Sequence, residues 1–287
     1  MKNFNDQYWQ NRRVVLASMH QKERAVETAL QSLGITVVVA KNIDTDSLGT
    51  FSGEKEREFS PYETALAKID LAKQHYPNDD LFLASEGSFE PHYALPMLTV
   101  NTELLVLKDE KHNHIITGTE LSVETHFYKE EINDVAALQS FAQKNSFPRY
   151  GIILKATTAE GFLKKVWKNA TDDTLLLDQY HQAKQLGNII FAETDLRAFN
   201  NPTRMQQIEK AAVKLVSNMQ SFCSQCHTPG FAVVKTVKGL PCDNCRLPTE
   251  SIKELIKRCQ HCGYEQILPR TDGKLTEDPM YCGNCNP

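Results

Sequence analysis

The chain has 287 residues, 41% of them hydrophobic and 8% aromatic, enough to bury a core in one large domain or two unequal ones. A formal charge of -4 excludes a general attraction to nucleic acid or anionic membranes, so any basic surface must be local. No apolar run approaches the roughly 20 residues of a bilayer span, and there is no charged leader with an apolar stretch and cleavage site; we expect a cytoplasmic protein with no membrane partner.

Along the first part of the chain, strand-like and helical stretches alternate. "RVVLAS", "ITVVVA", "DLFLAS", "TELLVLK", "HIITGTELSVETHF", "YGIILKA" and "NIIFAE" read as strands, with helical patterns filling much of the space between them. This predicts an α/β domain over residues 1–221 with a mixed central sheet flanked by helices. Helix starts are marked by Ser60-Pro61-Tyr62-Glu63, a capping box with proline in the first turn, by a second box at Thr157 and Glu160, and by Asn201-Pro202. "FSGEKEREFSP" is the one charged, loop-like stretch long enough to act as a flap.

The cysteines mark off residues 222–287 as a second domain. All eight lie there, in four pairs of one spacing: Cys223/Cys226, Cys242/Cys245, Cys259/Cys262 and Cys282/Cys285. A tight turn lets both sulfurs of such a pair reach one ion, and two pairs complete a tetrahedral zinc site. Four pairs therefore imply two zinc ions in a tandem zinc-ribbon module. Because every ligand is a thiolate, no position remains for water and the ions are structural. Pairing in sequence order leaves fifteen residues between Cys226 and Cys242 and nineteen between Cys262 and Cys282, gaps that suit zinc ribbons, and an interleaved pairing of first knuckle with third and second with fourth stays open as the alternative. Disulfides are the alternative, but uniform adjacent pairs without an export signal argue against them. Lys253, Lys257 and Arg258 fall within one short helical reach and form the only candidate patch for nucleic acid in this near-neutral tail.

In α/β sheets, ligands gather beyond the carboxyl ends of strands. Ser18, His20 and Lys22 follow the first strand, and Glu86 and Ser88 close "DLFLASEGS". Asp195, Arg197, Asn201 and Arg204 follow "NIIFAE". If these strand ends converge, they make a pocket of mixed charge for an anionic ligand and a divalent cation. Taken singly, each residue also has an ordinary role: Lys22 can solvate a helix, and Asp195 with Arg197 can be a surface ion pair.

The stretches "VVLASMHQKERAV", "DTDSLGTFSGEKER", "ETALAKIDLA" and "ASEGSF" resemble, in order and spacing, the inosine/xanthosine triphosphatase-like nucleotide hydrolases. That resemblance implies a nucleoside triphosphatase-like fold, with Lys22 holding phosphate beside Ser18 and Glu86 as the metal-binding or catalytic carboxylate. It covers about a third of the chain, and the paired-aspartate motif of those enzymes is missing. Through "ASMHQKERA", "DTDSLGTFSGE", "ASEGSFEPH", "TDLRAFNNPTRM" and "GLPCDNC" the whole chain is similar to an uncharacterised bacterial family that joins such a domain to C-terminal zinc ribbons.

The expectation is a Mg2+-dependent hydrolase or binder of a nucleotide or similar phosphorylated small molecule. Ser18, His20, Lys22, Arg57, Ser88, Arg197, Asn201 and Arg204 would bind substrate. Glu86, Asp46, Glu54 and Asp195 would hold metal or activate water. The alternative is an adaptor that binds nucleic acid or protein through its ribbons, with an inactive nucleotide fold as scaffold.

Overall fold

The computed structural model describes residues 7–18, 21–45, 48, 59–92, 95–186 and 189–287. The chain divides into two compact units, one of Met1–Asn113 with Thr117–Val216 and one of His114–Ile116 with Ser217–Pro287. Among the described residues no helix is long and apolar enough to cross a membrane.

The first unit is α/β and contains a mixed sheet. Its strands β1 (Arg13–Ala17), β2 (Thr36–Val39), β3 (Leu81–Pro91), β4 (Thr99–Asp109) and β5 (His114–Ser122) lie in the order β2-β1-β3-β4-β5. Helix α1 (Glu23–Gln31) links the parallel pair β1 and β2, and α2 (Pro61–His75) precedes β3, which is parallel to β1. Central strand β1 is buried from Val14 to Ala17, as a β-branched run covered on both faces should be. Helix α2 begins at the predicted capping box: the Ser60 hydroxyl accepts from the Glu63 N–H at 3.3 Å, and the Glu63 carboxylate accepts from the Ser60 N–H at 3.0 Å.

Strands β1 and β3 differ in length, and that difference shapes the site. The β1 ladder ends with Ala17 opposite Ala84, but β3 continues in antiparallel register with β4 as far as Pro91 opposite Thr99. Glu86 and Ser88, expected at a strand end, therefore lie inside a strand. Pairing with β4 holds the backbone extended past the point where β1 stops, which a local reading of "ASEGS" does not reveal.

Beside this sheet the first unit holds a second, antiparallel one. It comprises β6 (Lys129–Glu131), β7 (Ile152–Thr157), β8 (Leu163–Trp167) and β9 (Ile189–Thr194), ordered β6-β9-β7-β8. Alternation along β7 and β9 turns Ile152, Leu154, Ala156, Ile190 and Ala192 to one face. There they form a core with Leu138 and Phe141 of α3 (Val135–Lys144) and with Leu176, Tyr180 and Ala183 of α4 (Asp173–Leu186). Each large apolar side chain buried there contributes about 1.5–3 kcal/mol. The box expected at Thr157 and Glu160 does not start a helix. Thr157 ends β7, and a turn closed by the Gly161 N–H to the Thr158 carbonyl leads into β8. With Gly161 at φ +90°, the chain reverses before a helix could form.

Helix α5 (Pro202–Gln220) starts at the predicted place, capped by the Asn201 side chain, whose Oδ1 accepts from the Arg204 N–H at 3.0 Å. It packs so closely on β5 that a Cβ on Gly118 would collide with the Ala211 carbonyl and Leu215.

The second unit contains a three-stranded antiparallel sheet, β10 (Ala232–Lys238), β11 (Ile252–Arg258) and β12 (Glu265–Pro269). Lys253, Lys257 and Arg258 therefore sit on a strand rather than on a helix. Adjacent on the strand, Lys257 and Arg258 point to opposite faces, and the pairing with β10 skips Lys253 at a bulge, so a helical reach does not gather the three.

Candidate functional site

Two sites of different character emerge, one in each unit. In the second unit the eight thiols form two groups, Cys223, Cys226, Cys259 and Cys262, and Cys242, Cys245, Cys282 and Cys285. Within each group the ligand atoms lie within 4.8 Å of one another. All eight cysteines are free, and sulfur pairs such as Cys223–Cys262 at 3.7 Å and Cys245–Cys282 at 3.6 Å are far too long for disulfides. They match the spacing of about 3.8 Å that tetrahedral Zn–S bonds of about 2.3 Å require.

Pairing is interleaved, first knuckle with third and second with fourth, instead of in sequence order. The sheet decides this. Antiparallel pairing of β10 with β11 places Ala232, just after the first knuckle, opposite Arg258, just before the third. The second group closes through a short bridge between Cys242 and Glu277. A hydrogen bond with the Thr228 hydroxyl holds the Cys226 thiol down at about 5. Cys262, despite the Tyr264 N–H, is driven up to about 12 by burial and by its neighbouring thiols. Four thiols this close cannot all ionise without a cation among them, and a divalent ion removes that conflict. The two groups can hold two zinc ions.

The site in the first unit forms where β1 stops and β3 continues. Lys22 is the N-cap residue of α1 but gives no capping hydrogen bond. It is buried, and its ammonium donates to the Ser85 carbonyl at 3.1 Å and the Ser85 hydroxyl at 3.3 Å. A cation at a helix N-terminus opposes the dipole, so local helix stability does not account for this residue. Lys22 feels charged groups on both faces of the sheet. On the face toward α2, Glu86 is ion-paired with Lys68. On the face toward α5, Glu103 of β4 takes the Arg204 guanidinium at 2.6 Å, both side chains essentially inaccessible. The Arg204–Glu103 pair lies across Gly87: a Cβ there would stand 2.5 Å from Arg204 Nη2 and 2.7 Å from Glu103 Oε1.

Among the described residues, then, two buried cations, Lys22 and Arg204, a partly buried one, Lys68, and two buried carboxylates surround one stretch of β3. Burial, with Arg204 and Lys68 as like-charged neighbours, pulls Lys22 down to about 7 from an ordinary value of 10.5, in spite of Glu86 and Glu103. Beyond Glu103 along the same face of β4, Asn101 Oδ1 is buried without a hydrogen-bond partner, and on α5 the amide of Gln207, one turn past Arg204, is in the same condition.

Of the residues anticipated for this site, Lys22, Glu86 and Arg204 come together. Ser18 is buried just after β1, and Ser88 lies on β3 two residues past Glu86. Asp195 and Arg197 form a separate set that organises the loop before α5. Asp195 accepts from Arg197 Nη2 at 2.6 Å and Asn200 Nδ2 at 2.7 Å, while Arg197 also donates to Asn169 at 2.7 Å. Asn201 is occupied as the helix cap and by the His126 and Asp195 carbonyls. These groups satisfy one another, which fits shaping the loop better than binding substrate. His20, Asp46, Glu54 and Arg57 lie outside the described residues. Sequence reasoning missed Lys68 and Glu103. Lys68 falls inside an ordinary helix and Glu103 inside an apolar strand run, and a carboxylate interrupting "TELLVLK" was the one available signal.

Fold and site together define a two-unit protein, an α/β unit with a buried ionic cluster and a small β unit with two four-cysteine groups. The profile described as "Domain of unknown function (DUF6671)" matches residues 69–287, and the chain belongs to that family. No curated protein matches it. Among solved structures, "Crystal structure of protein VC0702 from Vibrio cholerae" is similar at 12% identity and a TM-score of 0.32, over 72% of this chain and 93% of that one.

Proposed function

We propose that the first unit binds a nucleotide or similar phosphorylated small molecule where β3 outruns β1 and hydrolyses it with Mg2+, on a nucleoside triphosphatase-like fold, and that the four-cysteine groups hold structural zinc. The observation that carries this reading is the excess of cations along this stretch, the buried Lys22 and Arg204 with the partly buried Lys68 against the buried Glu86 and Glu103. Burying so many charges is expensive, and a cluster with a strongly shifted member is a mark of a functional site. Burial and its cationic neighbours let Lys22 lose its proton near pH 7, and the negative charge of an incoming phosphate would oppose that loss.

The donors also suit an exchange of partners. A phosphate that draws Lys22 and Lys68 to itself leaves the oxygens of Glu86 for a hard cation such as Mg2+, which neutralises polyphosphate charge when bound. Lys22 protonation is linked to anion binding. The proton must be present, so affinity is highest below pH 7 and falls as pH rises through about 7.

The test is release of phosphate or pyrophosphate from a panel of nucleoside triphosphates with Mg2+, with thermal shift in parallel. Turnover that falls at least a hundredfold in Glu86→Gln is the expected result. No product from any nucleotide and no stabilisation by any of them would abandon the reading. The adaptor alternative has less support, because the ribbon cations divide between two faces and pair with neighbours, Lys253 with Glu254 at 3.4 Å and Arg258 with Glu265 at 3.7 Å.

A further inference from the structure

A second feature of the first unit lies outside the ionic cluster. The face of the antiparallel sheet turned away from α3 and α4 carries Ile153, Lys155, Glu193 and Lys129, and it forms one side of a groove of about 410 Å³ whose other side is Gly87, Ser88 and Phe89 of β3. The volume falls in the range of small-molecule sites. Glu193 is buried at the base and held by Lys155 at 2.5 Å and Lys129 at 3.1 Å. Phe127 and Phe89 line the groove with ring centroids 6.0 Å apart.

A surface built only for stability would place apolar residues at such a position, since a buried carboxylate costs desolvation energy. Aromatic walls with one carboxylate and two ammonium groups at hydrogen-bonding positions are what a flat, polar-edged ring requires. One ring of the tilted pair can stack on its face, the carboxylate accepts from its N–H groups, and the lysines donate to its carbonyl or ring nitrogen atoms. Gly87 and Ser88 belong at once to this groove and to the stretch of β3 that the ionic cluster surrounds.

We propose that this groove is the subsite for the heteroaromatic ring of the ligand, with the wall formed by Phe127 and Phe89 against one face of it and Glu193, oriented by Lys155 and Lys129, reading its edge. This rests on the phosphorylated-ligand reading above and specifies the other half of that ligand as a nucleobase.

Calorimetric titration of the full chain with inorganic tripolyphosphate and with ATP, GTP, CTP and UTP, in the absence of added Mg2+, separates the two ideas. Expected is at least one nucleotide that binds tenfold or more tightly than tripolyphosphate. Glu193→Gln and Phe127→Leu should each remove most of that margin and leave tripolyphosphate affinity within twofold. Both are near-isosteric changes, and unchanged melting curves check that the fold survives. If nucleotides and tripolyphosphate bind equally, or if the variants leave the margin intact, the groove is not the ring subsite while the phosphate reading stands. Should neither tripolyphosphate nor any nucleotide bind, the phosphate reading fails, and the free nucleosides then decide the groove. Binding that Phe127→Leu abolishes supports it, and no binding overturns it.

Discussion

The two sites are built on opposite principles. In the second unit each half of a site is a local unit, two cysteines on one tight turn, and tertiary structure only chooses which halves meet. The ionic cluster of the first unit has no local unit. Its members come from the start of α1, from α2, from β3, from β4 and from α5, and each is unremarkable in its own stretch of sequence. The first design stores its specificity in spacing, the second in topology. Perturbation should therefore act differently on the two.

Metal removal is the largest expected effect. A structural zinc in a small domain supplies about 10–16 kcal/mol of apparent binding free energy, which is also folding free energy. Chelation, or Cys259→Ser, should abolish the cooperative unfolding transition of the second unit, and elemental analysis should fall from two zinc per chain, by at least one in the case of Cys259→Ser. A chain that contains no zinc as purified yet melts normally would break the comparison at its stronger side.

Next comes the pair at the centre of the cluster. Arg204→Met leaves Glu103 buried and uncompensated, which should cost about 3–5 kcal/mol in urea denaturation. The double change Arg204→Met with Glu103→Leu should recover a good part of that loss. Gly87→Ala should cost about 1–3 kcal/mol, because its methyl group must displace the same pair.

A smaller and more diagnostic effect involves Lys22. Its folded value of about 7 lies below the ordinary 10.5, so between these values the unfolded chain binds the extra proton. Stability from this group therefore rises with pH across that window, and below about pH 7 the full cost of the buried charge is present. Lys22→Met should raise the melting temperature at pH 7, flatten the rise toward pH 10 and weaken tripolyphosphate binding. Gain of stability with loss of binding is the signature of a residue kept for its ligand; a variant that loses stability at pH 7 would mark Lys22 as structural. The smallest effect is expected from Lys253→Ala, within about 0.5 kcal/mol, since that side chain is half exposed and its ion pair is solvated.

Much of the fold is legible from the chain alone. The β-branched run of β1, the capping box at Ser60 and the Asn201-Pro202 start of α5 all stand where local pattern places them. The failures share one cause. Glu86 reads as a strand end because Gly87-Ser88 looks like a turn, and Thr157 as a helix cap because its spacing to Glu160 is right; in each case a neighbouring strand holds the backbone extended against the local signal. Lys253, Lys257 and Arg258 mislead in the same way, since pairing with β10 and β12 makes the segment a strand and turns the neighbours Lys257 and Arg258 to opposite faces.

By itself the sequence determined the α/β character of the first unit, the number of thiol knuckles and the capacity for two zinc ions. These depend on hydrophobic period and on separations of a few residues, which the covalent chain sets directly. Only the tertiary structure decided that the knuckles interleave, that Lys68 and Glu103 join Lys22, Glu86 and Arg204, and that Asp195 with Arg197 serve the loop instead. Those choices depend on which strand lies beside which, and on where one strand ends while its neighbour runs on, because a buried charge takes its partners from whatever the packed sheet brings within reach.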